Sequence, residues 1–378
     1  MPHIRRLIAL SLGFAVLAPA IAYACIWNSH TIEDEIHQQG VAEFDLISGQ
    51  FAHHGPAFFE ALAKRAQARL AANPDDLTAH DDLATAYLKL GRFKESHAEL
   101  KRVLTLHPER YESLSNLGVL YKYEGQFEQA AASMQQALAI KPSGHMGLGD
   151  WYVRSLEYRA HVAAGRPLPK DATFLDFDPA NKDSTGYQTI EEQLHAMIRN
   201  DRKFADVYVT LGDQLGHPDR YNHALWCYVH ALQLGHTETK RIEKNIDHIL
   251  DYWKQSLTHN PSPKTVDDRA TTIAAITAQL EKAGEWVQSF ERVEAEMLAA
   301  GEGGESVESV SFETVEAEMK RRGIERYRPT PAGVRPLVTT ESVTSAFWIT
   351  GAVAVAFVGV AVLGLGVFLI VRRQRKAA

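Results

Sequence analysis

Two cysteines in 378 residues are too few for a disulfide framework, so the core of this chain must come from packing. Lysine and arginine total 40 against 47 acidic residues, a formal charge of −7. That balance excludes the dominant basic face of a general nucleic-acid binder. The chain also lacks a glycine-rich phosphate loop, a nucleophile-elbow serine, a His-Glu-x-x-His helix and a Cys-x-x-Cys-His haem attachment. We therefore expect no enzyme and no cofactor.

Long uncharged apolar runs stand only near the two ends. Residues 1–24 combine a basic start (His3, Arg5, Arg6), an apolar run from Leu7 to Ala18, and small Ala22 and Ala24 before Cys25. This is the profile of a secretory signal. Ala346 to Val371 is long enough to cross a bilayer as a helix, and the cluster Arg372, Arg373, Arg375 and Lys376 follows it. The expected topology is a single-pass membrane protein with an exported body, periplasmic or extracellular, and a cytoplasmic tail at 372–378. Residues 301–345 open acidic and glycine-containing, end with Pro329, Pro331 and Pro336, and are expected to form a stalk with a short helix around Phe312 to Arg322.

Between these ends, a sparse pattern recurs with a period of 34 residues. Leu83-Ala84, Tyr87, Gly91, Phe93, Ser96, Leu100 and Pro108 fall in residues 77–110 where Leu117-Gly118, Tyr121, Gly125, Phe127, Ala130, Met134 and Pro142 fall in residues 111–144. The 3.6-residue spacing predicts two helices per unit. Small residues at the crossing (Gly118 with Ala130, Ala84 with Ser96) admit close backbones, glycine caps the first helix, and proline follows the second. This pattern resembles the tetratricopeptide repeat in its period and most signature positions. The implied fold is an all-α helical-hairpin solenoid with a C-terminal transmembrane helix.

In the same register, residues 205–238 form a degenerate copy with His236 in place of the closing proline. Residues 25–76 form a capping region with one degenerate repeat helix (Leu62, Ala66, Leu70) before Pro74. Residues 145–204 hold two helices, Trp151 to Ala164 and Tyr187 to Arg199, around a long loop at 165–186. Leu168, Phe174, Leu175 and Phe177 are expected to pack that loop back on the helices. Residues 239–300 are expected as helical hairpins, one of them turning at Gly284. The opening Cys25-Ile-Trp-Asn28 and the acidic segment after it also resemble exported, membrane-anchored bacterial tetratricopeptide proteins, a likeness that carries no assigned activity.

By that resemblance, the concave face is lined by Thr78, Asp81, Thr85, Leu88 and Lys89 in the first unit and Glu112, Ser115, Val119, Lys122 and Tyr123 in the second. Its occupant is expected to be an unidentified protein or peptide. The family's chaperone-tail clamp requires lysine and asparagine where this chain has Asp81 and Thr85, so an acidic C-terminal carboxylate is not the expected ligand. The alternative function is a metal-handling or enzymatic one. It rests on the 17 histidines, on His223, Cys227 and His230 sharing one face of the third copy, and on the 165–186 loop. Spacing leaves open whether Cys25 pairs with Cys227, carries lipid, or stands apart.

Overall fold

The computed structural model describes residues 27–30, 37–38, 40–144, 147–168, 173–176, 190–259, 264–301, 307, 310–328 and 334–336. The signal expected at 1–24, Cys25, the span expected at Ala346 to Val371 and the tail lie outside them. Among the described residues no helix is long and apolar enough to cross a membrane. The chain divides into two units, one within Met1–Ile246 and Ile273–Thr330, the other within Asp247–Thr272 and Pro331–Ala378.

In the first unit, α1 (Glu43–Ser48) and α2 (Pro56–Ala72) precede the two repeat hairpins, α3 (Leu77–Lys89) with α4 (Phe93–Leu106) and α5 (Tyr111–Tyr123) with α6 (Phe127–Ile140). Asp76 caps α3 by accepting the Ala79 N–H at 3.0 Å. Gly91 and Gly125 follow the first helices at φ 74°, a left-handed conformation that a side chain would strain. Each hairpin crosses where its residues are smallest. Ser96 Oγ donates to the Ala84 carbonyl at 2.8 Å, and a Cβ on Gly118 would stand 3.1 Å from Met134 Cε and 3.2 Å from the Ala130 carbonyl. The shared core then runs from Leu88 and Leu100 through Val119, Leu120 and Met134 to Tyr152 and Leu156 of α7 (Gly149–Ala163).

After α7, Phe174 lies in a single 3-10 turn, Phe174–Asp176. Its ring is fully buried, 6.1 Å from Phe204 and 6.3 Å from Trp151, and Arg154 donates to the Leu175 carbonyl at 2.8 Å. This part of the loop packs back as its apolar residues require. Phe177 lies outside the described residues. Then come α8 (Ile190–Asn200), α9 (Ala205–Gln214) and α10 (Tyr221–Gln233). In this degenerate hairpin the Tyr228 ring, rather than Ala224, fills the space above Gly212.

Three departures from the sequence expectations have physical causes. First, no turn forms at Gly284, because α12 (Arg269–Ala300) runs through it. Ile276, Leu280, Ala283, Val287 and Phe290 are buried at alternating spacings of four and three, one continuous stripe that a hairpin would interrupt. Second, the expected stalk contains part of the body. Phe312, Val315 and Met319 of α13 (Phe312–Arg321) share a core with Phe58 and Leu62 of α2 and with Phe290 and Val293 of α12. Tyr327 joins them, its N–H donating to Gln50 Oε1 at 2.8 Å. Third, one short ribbon that the sequence did not suggest accompanies the expected all-α architecture. In the second unit, β1 (Lys264–Val266) pairs antiparallel with β2 (Val334–Pro336), Thr265 opposite Arg335. The second unit also holds the end of α11 (Thr239–His259), where Asp247 pairs with Arg269 at 2.5 Å.

A fully buried carboxylate ties the first unit together. Glu294 of α12 lies 2.5 Å from His54 Nδ1 and accepts the Gly55 N–H at 2.7 Å, just before α2 begins. Such a group persists in a core only when paired and hydrogen-bonded.

The crossing geometry sets the first prediction. Gly118→Leu must drive α5 from α6, so chemical denaturation should show a loss of about 1–3 kcal/mol, as overpacked cores do. Leu106→Ala, at a side chain 68% exposed, should stay within about 0.5 kcal/mol.

Candidate peptide-binding face

The first helices of the two hairpins, α3 and α5, carry the residues expected to line a binding face. Only some of them are presented to solvent. Asp81 is buried, accepts from Arg110 Nη2 at 2.6 Å and from Ser113 Oγ at 2.6 Å, and so joins α3 to the start of α5. Burial pushes its carboxyl up to about 6 even with these partners opposing. Leu88 and Val119 are core residues. Lys122, expected to meet a partner, pairs instead with Asp201, and its ammonium lies 5.4 Å from the Tyr152 ring and 5.8 Å from that of Phe204. Burial raises the Asp201 carboxyl, but Lys122 outweighs it and holds the group below its ordinary value. These residues, with Val119 and Tyr123, enclose a cavity of about 20 Å³, room for roughly one water and no larger ligand. Thr78, Lys89 and Tyr123 are exposed, Tyr123 at 46%.

The other end of the face is occupied by the chain's own residues 27–30. Asn116 reads both polar groups of Trp27: its Oδ1 accepts the Trp27 N–H at 2.7 Å and its Nδ2 donates to the Trp27 carbonyl at 3.0 Å. Thr85 Oγ1 donates to the same carbonyl at 2.9 Å, and Asp82 Oδ1 accepts the Ser29 N–H at 2.7 Å. The Trp27 ring meets Tyr111 edge-on at 5.9 Å, with the Lys141 ammonium 5.3 Å from the first ring and 5.1 Å from the second. Thr85 thus meets the chain's own Trp27, whereas Ser115, one residue before Asn116, is buried with its Oγ unpartnered among the described residues.

Asn116 and Asp82 escaped sequence reasoning, which took other positions of each first helix. They occupy the same position of consecutive units, 34 residues apart. Both are short polar side chains nearly without exposure. A repeated buried polar position on an otherwise apolar helix face is the signal that could have marked them.

The histidine-rich face of α10 has a different use. His223 lies 3.5 Å from Glu43 and its ring 4.5 Å from Phe44, while His230 Nδ1 lies 2.6 Å from the Ile47 carbonyl. Cys227 between them is fully buried, and burial pushes its thiol well above the ordinary range, leaving it inert. The shared face is therefore where α1 docks. Among the described residues no group of three or more His, Cys, Asp or Glu is arranged to hold a metal ion.

Hairpins stacked through small crossings, with side chains that grip a peptide main chain, define a helical-repeat scaffold. A family model described as tetratricopeptide repeat matches residues 111–143, the hairpin of α5 and α6. Residues 77–110 repeat its glycine and proline positions and fold into the same pair of helices. No curated protein matches the chain.

The docking of α1 carries a pH dependence. Burial holds His230 down to about 4, whereas an unfolded histidine titrates near 6.5. The unfolded chain therefore takes up this proton first, and stability falls as pH drops from about 6.5 toward 4, by at most about 3 kcal/mol from this residue. Denaturation of the purified protein at stepped pH should show that decline, and His230→Gln should flatten it.

Proposed function

We propose that this chain is an exported, membrane-anchored scaffold that holds another envelope protein against its repeat hairpins. The observation that carries the reading is the carboxamide of Asn116, which closes on both main-chain polar groups of one residue, Trp27. A side chain used this way recognises peptide backbone irrespective of side-chain identity. Tetratricopeptide hairpins mediate protein–protein interaction in general, and the match over residues 111–143 supports that mode here. Export and anchoring rest on the basic-then-apolar segment 1–24 and on the uncharged run from Ala346 to Val371 with its basic flank.

Asp81 and Lys122 are withdrawn from the surface, whereas Lys89 and Tyr123 are exposed, so the partner's contacts fall on these two. Lys89→Glu and Tyr123→Ala should each reduce capture of cross-linked partner from solubilised native membranes severalfold, with the melting temperature unchanged. Unaltered capture by both variants would refute the scaffold reading. Protease added outside spheroplasts should remove the body, and an intact body would refute export.

A further inference from the structure

The contacts made by residues 27–30 describe a ligand as well as a structural element. Of the groups they engage, Asn116, Thr85 and Asp82 address main-chain N–H and C=O, and would meet the same atoms of any peptide backbone of this shape without proline at the two donor positions. Side-chain choice enters at Trp27. Its ring packs with Tyr111, Leu114 and Ala137, and Lys141 covers it as a cation over an aromatic face. The selected feature is thus a segment with tryptophan two residues before a second N–H donor.

The chain's own segment fills this site imperfectly. Ser115 Oγ, next to Asn116 in the chain, is buried with no hydrogen-bond partner among the described residues, and Ser29 is exposed. An occupant that leaves buried donors unpaired is weaker than one that satisfies them. It holds the site through its tether, which presents it at an effective concentration on the order of millimolar.

We propose that the face of α3 and α5 binds a tryptophan-bearing segment of a partner protein, and that residues 27–30 occupy it in cis as a displaceable competitor. The proposal rests on the scaffold reading and names its ligand and its regulation. A partner gains the site only by outcompeting the tethered segment, so conditions or partners that lift residues 27–30 raise affinity without altering the site itself.

The probe is a fluorescein-labelled peptide with the sequence of residues 26–32, titrated by anisotropy into the full chain in detergent. Trp27→Ala with Ser29→Pro removes the ring and one of the donor N–H groups from the cis segment and leaves Asn116, Thr85, Asp82 and Tyr111 in place. This variant should bind the probe at least tenfold more tightly than the unaltered chain. Adding Asn116→Ala, or replacing the probe's tryptophan by alanine, should abolish that gain. Equal binding by the variant and the unaltered chain would overturn the proposal. In the unaltered chain, saturating probe should also speed amide hydrogen exchange at Trp27 and Ser29. Unchanged exchange at saturation would overturn it too, including where the double variant does not fold. Probe failure together with intact, Lys89-dependent partner capture would remove this inference alone, whereas loss of that dependence would remove the scaffold reading.

Discussion

Every hairpin in this chain depends on the close crossing of its two helices. A helix of 13 or 14 residues, the length of those in both repeat units, is marginal by itself in water. Its apolar stripe is stable only when a second helix covers one side and the next hairpin covers the other. The first contact requires a residue without bulk at the crossing, which Gly118 supplies against Ala130 and Met134. The second appears in the way Val119 and Leu120 of one unit share a core with Leu88 and Leu100 of the unit before. Once hairpins stack in this way, their first helices lie side by side, and a row of side chains at equivalent positions becomes one face.

The stack has to end somewhere, and this chain ends it with itself. At the amino-terminal side, α2 has an exposed flank that another repeat would otherwise cover. Phe290 and Val293 of α12, together with Phe312, Val315 and Met319 of α13, complete that core instead. The buried Glu294 between His54 and Gly55 makes the arrangement specific, because its carboxylate has nowhere else to find two donors. At the other side, α1 lies on α10 through His223, Trp226 and His230. Segments that are not repeats thus take the places of missing neighbours. On the face of α3 and α5, residues 27–30 lie against Asn116, Thr85 and Asp82.

The parts of this architecture that were legible share one property: they are decided within one hairpin. The left-handed caps at Gly91 and Gly125, the small crossing residues and the chain reversal before Pro108 and Pro142 each follow from local sterics. The misread parts depend on residues far away in the chain. Gly284 looked like a turn because a glycine followed an apolar stripe, yet that stripe continues past it. Phe312, Val315 and Met319 looked like a tether because the surrounding residues are acidic and proline-rich, but three large apolar groups on one helix face need a core. Of the candidate face, Thr85 holds the chain's own Trp27, while Asp81 and Lys122 are drawn into ion pairs with Arg110 and Asp201. No local pattern predicts those pairs, since Asp201 comes from the far side of a long insertion.

From the sequence alone follow the period of 34, the two-helix unit and the shared identity of the two hairpins, because spacing on a helix and the size of a side chain are local quantities. The tertiary structure alone decided what lies against those hairpins. Which histidines face α1, which acids are neutralised by which bases, and which peptide rests on Asn116 depend on the convergence of segments separated by dozens to hundreds of residues. Burial then turns ordinary polar side chains into pairs that cannot be left unsatisfied.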